Sequence, residues 1–203
     1  MFTELCTQYE DEDFSGMDFS GMDLSGYTFS HCKFRCCKLS DLSTQRCLFT
    51  SCDFSMAQLN GSDHQNSAFV NCEFLSASLF CASFRQCKCT GSSFVGSTLI
   101  GTQFSGGSYS YACFSECDLS RMKFDSAQLD HADLSRCDLC EADLRGCDLS
   151  QAVVSAAKLD KADLRGAALA GCDLLSCRLK QAKIDLKQAV YLAELTGAVC
   201  ADL

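Results

Sequence analysis

The chain has 203 residues, a formal charge of -9 at neutral pH, 18 Cys and 13 Gly, with neither Pro nor Trp. That length suits a single domain with a full core. No apolar run nears the roughly 20 residues needed to span a bilayer, and the acidic start MFTELCTQYEDEDF is unlike a signal peptide, so a cytoplasmic protein without membrane contact is expected. An excess of acid over base argues against direct binding to nucleic acid, whose phosphates call for Lys and Arg.

Residues 1–11 form a short N-terminal segment. From there a period of five runs over residues 12–186 without insertion or deletion. Starting at Phe14 and stepping by five gives 35 centres, of which 13 are Phe and 16 are Leu. Two residues before each centre the side chain is small in 29 of the 35 cases. A helix needs apolar residues every 3.6 positions and a strand every 2.0, so a strict five fits neither. It fits a coil with flat sides, in which each pentad makes one side and turns a corner. Four pentads per turn place each side over the one 20 residues earlier, with backbone bonds setting a rise of roughly 4.8 Å. The absence of Pro suits such ladders.

Steps of 20 sort the centres into four inner columns. One holds Phe14, Phe34, Phe54, Phe74, Phe94 and Phe114 before continuing as Leu134, Val154 and Leu174. Another holds Thr44 and His64 in succession, and residues 60–66, NGSDHQN, lack any apolar side chain. A bend, an irregularity or an excursion from the coil is expected there. Beyond it, Val70, Leu75, Phe80, Val95 and Ile100 occupy the slot after the centre, where Ser is usual, and form a candidate apolar contact for a protein.

Eleven of the 18 cysteines fall on the small inward slot and read as small hydrophobes rather than as a disulfide framework or metal ligands. The three histidines, His31, His64 and His131, assemble with no nucleophile, and neither a phosphate loop nor a dinucleotide fingerprint is present. No catalytic residue, metal or cofactor is expected.

Past Ile184 the period stops. Asp185 with Gln188 three positions on resembles a capping box, LKQAVYLAELT follows, and Gly197 ends the run, predicting a short helix within a C-terminal unit at 187–203. Its apolar surface reads either as a cap over the last coil or as a two-fold dimer interface built from Ile184, Leu186, Val190, Tyr191, Ala193, Leu195 and Val199. Ala198, Val199 and Cys200 offer a possible strand.

The pentads ADLSR CDLCE ADLRG CDLSQ at residues 132–151 spell the A(D/N)LXX motif, and the chain resembles the pentapeptide-repeat proteins. That resemblance implies an all-β solenoid, a right-handed quadrilateral β-helix. DLKQAVYLAELTGAV after the last pentad is similar to the C-terminal module of the Qnr/MfpA class, which protects DNA gyrase and topoisomerase IV from quinolones or natural gyrase poisons. For this chain it implies a DNA-mimicking homodimer with a topoisomerase partner. Because no insertion breaks the frame, the likeness is to the loopless type. The other reading is a non-catalytic scaffold or secreted effector with an unrelated protein partner.

The candidate acidic contact lies on the side holding the Phe column. Glu12, Asp13, Asp53, Glu73, Glu116, Asp133 and Asp173 stand there against Lys33, Arg35 and Arg136.

Overall fold

The structure, a computed structural model, describes residues 6–199. Each pentad is a short extended segment followed by a corner, because its centre and its small residue must both point inward while its backbone bonds run along the coil axis. Nine segments are three-residue strands: β1 (Gln8–Glu10), β2 (Asp23–Ser25), β3 (Thr28–Ser30), β4 (Ser43–Gln45), β5 (Leu48–Thr50), β6 (Asp63–Gln65), β7 (Ala68–Val70), β8 (Ser83–Arg85) and β9 (Gln103–Ser105). Most of the others pair through single parallel bridges. Every partner lies 20 residues on, from Gln8↔Thr28 to Asp163↔Lys183. The strands form two parallel sheets, β1-β3-β5-β7 and β2-β4-β6-β8-β9. The result is the expected right-handed quadrilateral β-helix, closed at its C-terminal end by one helix, α1 (Leu186–Leu195). No helix among the described residues is long and apolar enough to cross a membrane.

The four sides are numbered by their centres: the first holds Phe14 and Phe34, the second Phe19 and Leu39, the third Leu24 and Thr44, the fourth Phe29 and Phe49. Nearly all centres and small slots are buried in one continuous core. Stacked rings follow the ladder spacing, with centroids 4.9 Å apart for Phe34 and Phe54 and 4.7 Å for Phe49 and Phe69. The corners require left-handed backbone, and Gly107 shows how tight the inner slot can be, since a Cβ there would meet the Cys87 carbonyl oxygen at 2.1 Å.

Two sequence expectations are corrected. The coil begins before residue 12, because Tyr9 fills a centre slot of the fourth side, its ring 5.3 Å from Phe29, and β1 pairs with β3. Residues 60–66 neither bend nor leave the coil: β6 pairs regularly with β4 and β8. Polar groups there close on one another inside the core. Ser62 donates to the Leu59 carbonyl at 2.8 Å, which leaves its oxygen to accept from His64 Nε2 at 3.0 Å. Nδ1 of His64 is then free to accept from the Thr44 hydroxyl at 2.8 Å. Large and small also exchange places: Leu42 sits in the small slot, beside the small centre Thr44.

The coil does open elsewhere. On the second and third sides, the N–H groups of Leu99, Gly101, Phe104, Gly106, Asp118 and Lys123 lack the ladder bonds that their equivalents make one turn away. The bridges between positions 98 and 118 and between 103 and 123 are missing as well. The first and fourth sides of the same turns stay joined, through Ser93↔Cys113 and Ser108↔Gln128. The rings report the same wedge: Phe94 and Phe114 are 4.8 Å apart on the first side, Phe104 and Phe124 6.0 Å on the third. Met122 stands at the corner between the two opened sides. It occupies a small slot beside the large centre Phe124 and over Thr102, so its own centre does not compensate it as Thr44 compensates Leu42. A separate gap in the first-side ladder lies between positions 153 and 173.

Two outcomes follow for stability. Met122→Ala exchanges a loss of about 2–5 kcal/mol of side-chain packing for six ladder bonds at about 0.5–1.5 kcal/mol each, so we expect a net rise in Tm and slower deuterium exchange at Leu99, Gly101 and Phe104; a lower Tm with unchanged exchange would refute the wedge. Burial drives His64 down to about 3, below its unfolded value, so the stability it confers is present above the unfolded value near 6.5 and lost as pH falls towards 3. His64→Leu, which frees the Thr44 hydroxyl to donate to Ser67 and leaves Ser62 bonded to Leu59, should unfold with a visibly shallower pH dependence in that window. Parallel curves for the two proteins would show that His64 is not the titrating group.

Candidate interaction surface

The ladder of the first side fixes where its carboxylates stand. Asp13, Lys33, Asp53 and Glu73 are consecutive bridge partners, and Cys113, Asp133 and Val153 continue the line. Glu12, Asp13, Glu73, Glu116 and Asp173 are exposed, and Asp53 and Asp133 half-buried. Every basic residue of this side is paired within it: Lys33 with Asp13 at 4.0 Å, Arg35 with Asp53 at 2.8 Å and Arg136 with Glu116 at 2.7 Å. These are surface pairs of small energetic worth, but they leave Glu12, Glu73, Asp133 and Asp173 without a cationic partner among the described residues. Hydrogen bonds from Ser15, with Lys33 beside it, hold Asp13 below the usual carboxylate range. Burial opposes the same shift at Asp53, where Ser55 and the Arg35 guanidinium prevail. Both are anions at neutral pH.

The apolar slots gather at one corner. Leu75 and Val95 stack on the first side, and Phe80 and Ile100 on the second, one pentad further along. Leu75, Phe80 and Ile100 are about half exposed or more, at 49%, 50% and 62%, whereas Val95 is partly covered. Val70 lies apart from them at the end of β7 on the fourth side, and it too is partly covered. Ile100 also lines the mouth of the opened seam, a cavity of about 720 Å³ bounded by Leu99, Thr102, Gln103, Arg121, Met122 and Lys123. The sequence marks this seam with Met122, a large residue in a small slot beside a large centre, a pairing found otherwise only in the first turn of the coil, before residue 30.

At the C-terminal end, Asp185 accepts from the Gln188 N–H and donates its own N–H to the Gln188 side chain, each at 3.0 Å, as the capping box predicts. Gln188 is buried and donates onward to the carbonyls of Leu164 and Ala167, while the Tyr191 hydroxyl donates to Cys172 O at 3.0 Å. Tyr191, Leu192, Leu195 and Ile184 pack on the coil. This face of α1 therefore covers the last turn. Val190 and Ala193 are partly covered, whereas Leu186 is 74% and Val199 94% exposed. Residues 198 and 199 form no strand, and Cys200 lies outside the described residues.

The inner cysteines differ: a hydrogen bond with Cys72 lowers the Cys52 thiol despite its burial. Burial pushes the thiols of Cys37, Cys87, Cys117 and Cys147 up to about 11 and that of Cys172 to about 12. No group of His, Cys, Asp and Glu among the described residues is arranged to hold a metal ion.

The family model described as pentapeptide repeats matches residues 77–121, 110–139 and 147–184, in eight copies. The unmatched turns before residue 77 are those richest in Phe and Cys in place of Leu and Ala. No curated protein matches the sequence. Among solved structures, the chain is similar to full-length QnrB1, a plasmid-mediated fluoroquinolone resistance protein, at 24% identity and a TM-score of 0.72, over 95% of this chain and 98% of that one. A trypsin-treated variant of QnrB1 matches at 21% identity and a TM-score of 0.58, over 97% and 98% of the two chains.

Proposed function

From the premise that this chain belongs to the pentapeptide-repeat family, we propose that it is a non-catalytic, cytoplasmic DNA mimic that binds DNA gyrase, and topoisomerase IV with it, and protects them from quinolones or a natural poison. One observation carries this reading: the fold follows that of a fluoroquinolone resistance protein over 95% of this chain and 98% of that one. The acidic first side supplies the physical basis. It would occupy a basic surface shaped for duplex DNA, and its charge would steer the approach.

Magnitude limits how far charge alone can act. The first side carries a net -4 along a rod of roughly 40 Å, against one charge per about 1.7 Å of duplex axis. Steering and shape therefore do more than electrostatic replacement, and apolar contact is needed to hold the complex.

The assembly we propose is a homodimer through the C-terminal unit. Leu186 and Val199 are its exposed contacts, with Val190 and Ala193 beside them, while Ile184, Tyr191 and Leu195 serve it by fixing α1 on the coil. A cap needs only the inward face; the outward apolar residues are what a second copy would cover.

Two measurements test these readings. In a gyrase supercoiling assay, the protein should restore activity in the presence of a quinolone or a natural poison, and Glu73→Lys with Asp133→Lys should weaken this severalfold without changing Tm; absence of gyrase binding, or recovery of a different protein partner instead, would defeat the proposal. Light scattering should give a dimer mass that Leu186→Glu with Val199→Glu reduces to a monomer. A monomer mass for the unaltered protein would reject the dimer.

A further inference from the structure

We propose that the opened seam between residues 96–106 and 115–125 is a docking site for an extended polypeptide segment of the partner, anchored by the apolar corner of Leu75, Phe80, Val95 and Ile100. This rests on the topoisomerase reading and names the surface through which that partner is gripped. Two independent features point to polypeptide as the occupant. Six N–H groups on two adjacent sides, those of Leu99, Gly101, Phe104, Gly106, Asp118 and Lys123, have no backbone partner, and neither do the carbonyls of Ser97, Thr102 and Asp118 that would complete those bonds. Along residues 97–106 the unpaired groups run C=O of Ser97, N–H of Leu99 and Gly101, C=O of Thr102, N–H of Phe104 and Gly106, a row that matches the groups of another extended backbone.

The second feature is side-chain chemistry. Ile100 belongs both to the exposed corner and to the lining of the seam, so apolar contact and open backbone form one surface. Phe80 stands one turn before it on the same side, and Leu75 lies just across the corner. Such a patch beside a free edge suits a segment that presents an apolar side chain and pairs its own backbone alongside. Charge within the seam is mixed, with Asp118 and Asp125 against Arg121 and Lys123, and Arg121 is already paired with Glu141 at 3.2 Å. The seam is thus no extension of the acidic first side. It also lies opposite the corner where the fourth and first sides stay joined, so the same turns are open on one flank and closed on the other.

The probe is purified DNA gyrase holoenzyme with the full chain. Deuterium exchange of the free protein should be fast at Leu99, Gly101, Phe104, Asp118 and Lys123 and slow at Leu79, Cys81 and Leu119, whose ladder bonds are made. Adding gyrase should protect the seam amides. Phe80→Ser with Ile100→Ser, both on the surface, should raise Kd about tenfold or more with Tm unchanged. Met122→Ala, which keeps the apolar corner and closes the seam, should weaken binding as well. If gyrase binds but the seam amides stay unprotected and all these variants bind like the parent, the docking site is wrong and the partner stands. If gyrase does not bind at all, both fail. Protection that appears with rising protein concentration alone would make a second copy the occupant and overturn the proposal.

Discussion

The parallel backbone ladder between residues 20 apart is the constraint on which everything else rests. It sets the distance between turns, and hence the only spacing at which side chains of successive turns can meet. Phe rings satisfy it because their stacked separation nearly equals the ladder rise, as Phe74 over Phe94 at 4.9 Å shows. Leu satisfies it by size. The small slot two residues earlier exists because a square coil of this girth has room for one large side chain per pentad and little more.

Seen this way, the irregular positions differ in kind. Leu42 is large but faces a small centre, and His64 is polar but fully partnered, so the ladder runs through both unaltered. Met122 is large beside a large centre, and the ladder yields on two sides. What decides whether a turn holds is the sum of neighbouring volumes and the closure of hydrogen bonds, not the polarity of any one residue.

The same distinction explains what was legible in the sequence. The strict period of five displayed the core columns, the face that each carboxylate occupies and the capping box at Asp185, because each depends on local spacing. Tyr9, one pentad before Phe14, was hidden in the acidic start, whose composition marks it off from the repeat as an N-terminal segment. The segment 60–66 looked weak because composition shows polar side chains without their partners, most of which come from the neighbouring turn or from outside the window. The seam was hidden for the converse reason: Met122 is an ordinary core residue until it is placed next to Phe124 and above Thr102. Which outer surface binds a partner depends on that three-dimensional adjacency too, as Ile100 shows by joining the apolar corner to the seam.

The 20-residue register also separates two properties that most folds keep together. Deleting one pentad would leave every remaining core slot filled by a residue of the right size, yet turn everything downstream by a quarter revolution. Glu116, Asp133 and Asp173 would then line up with a different flank from Asp13, Asp53 and Glu73, although the interior would be as well packed as before. Only changes of four pentads preserve both the packing and the alignment of the outer faces. Such a rod can therefore gain or lose length in small steps as a folded object, but only in whole turns as an object that presents one continuous surface to something else.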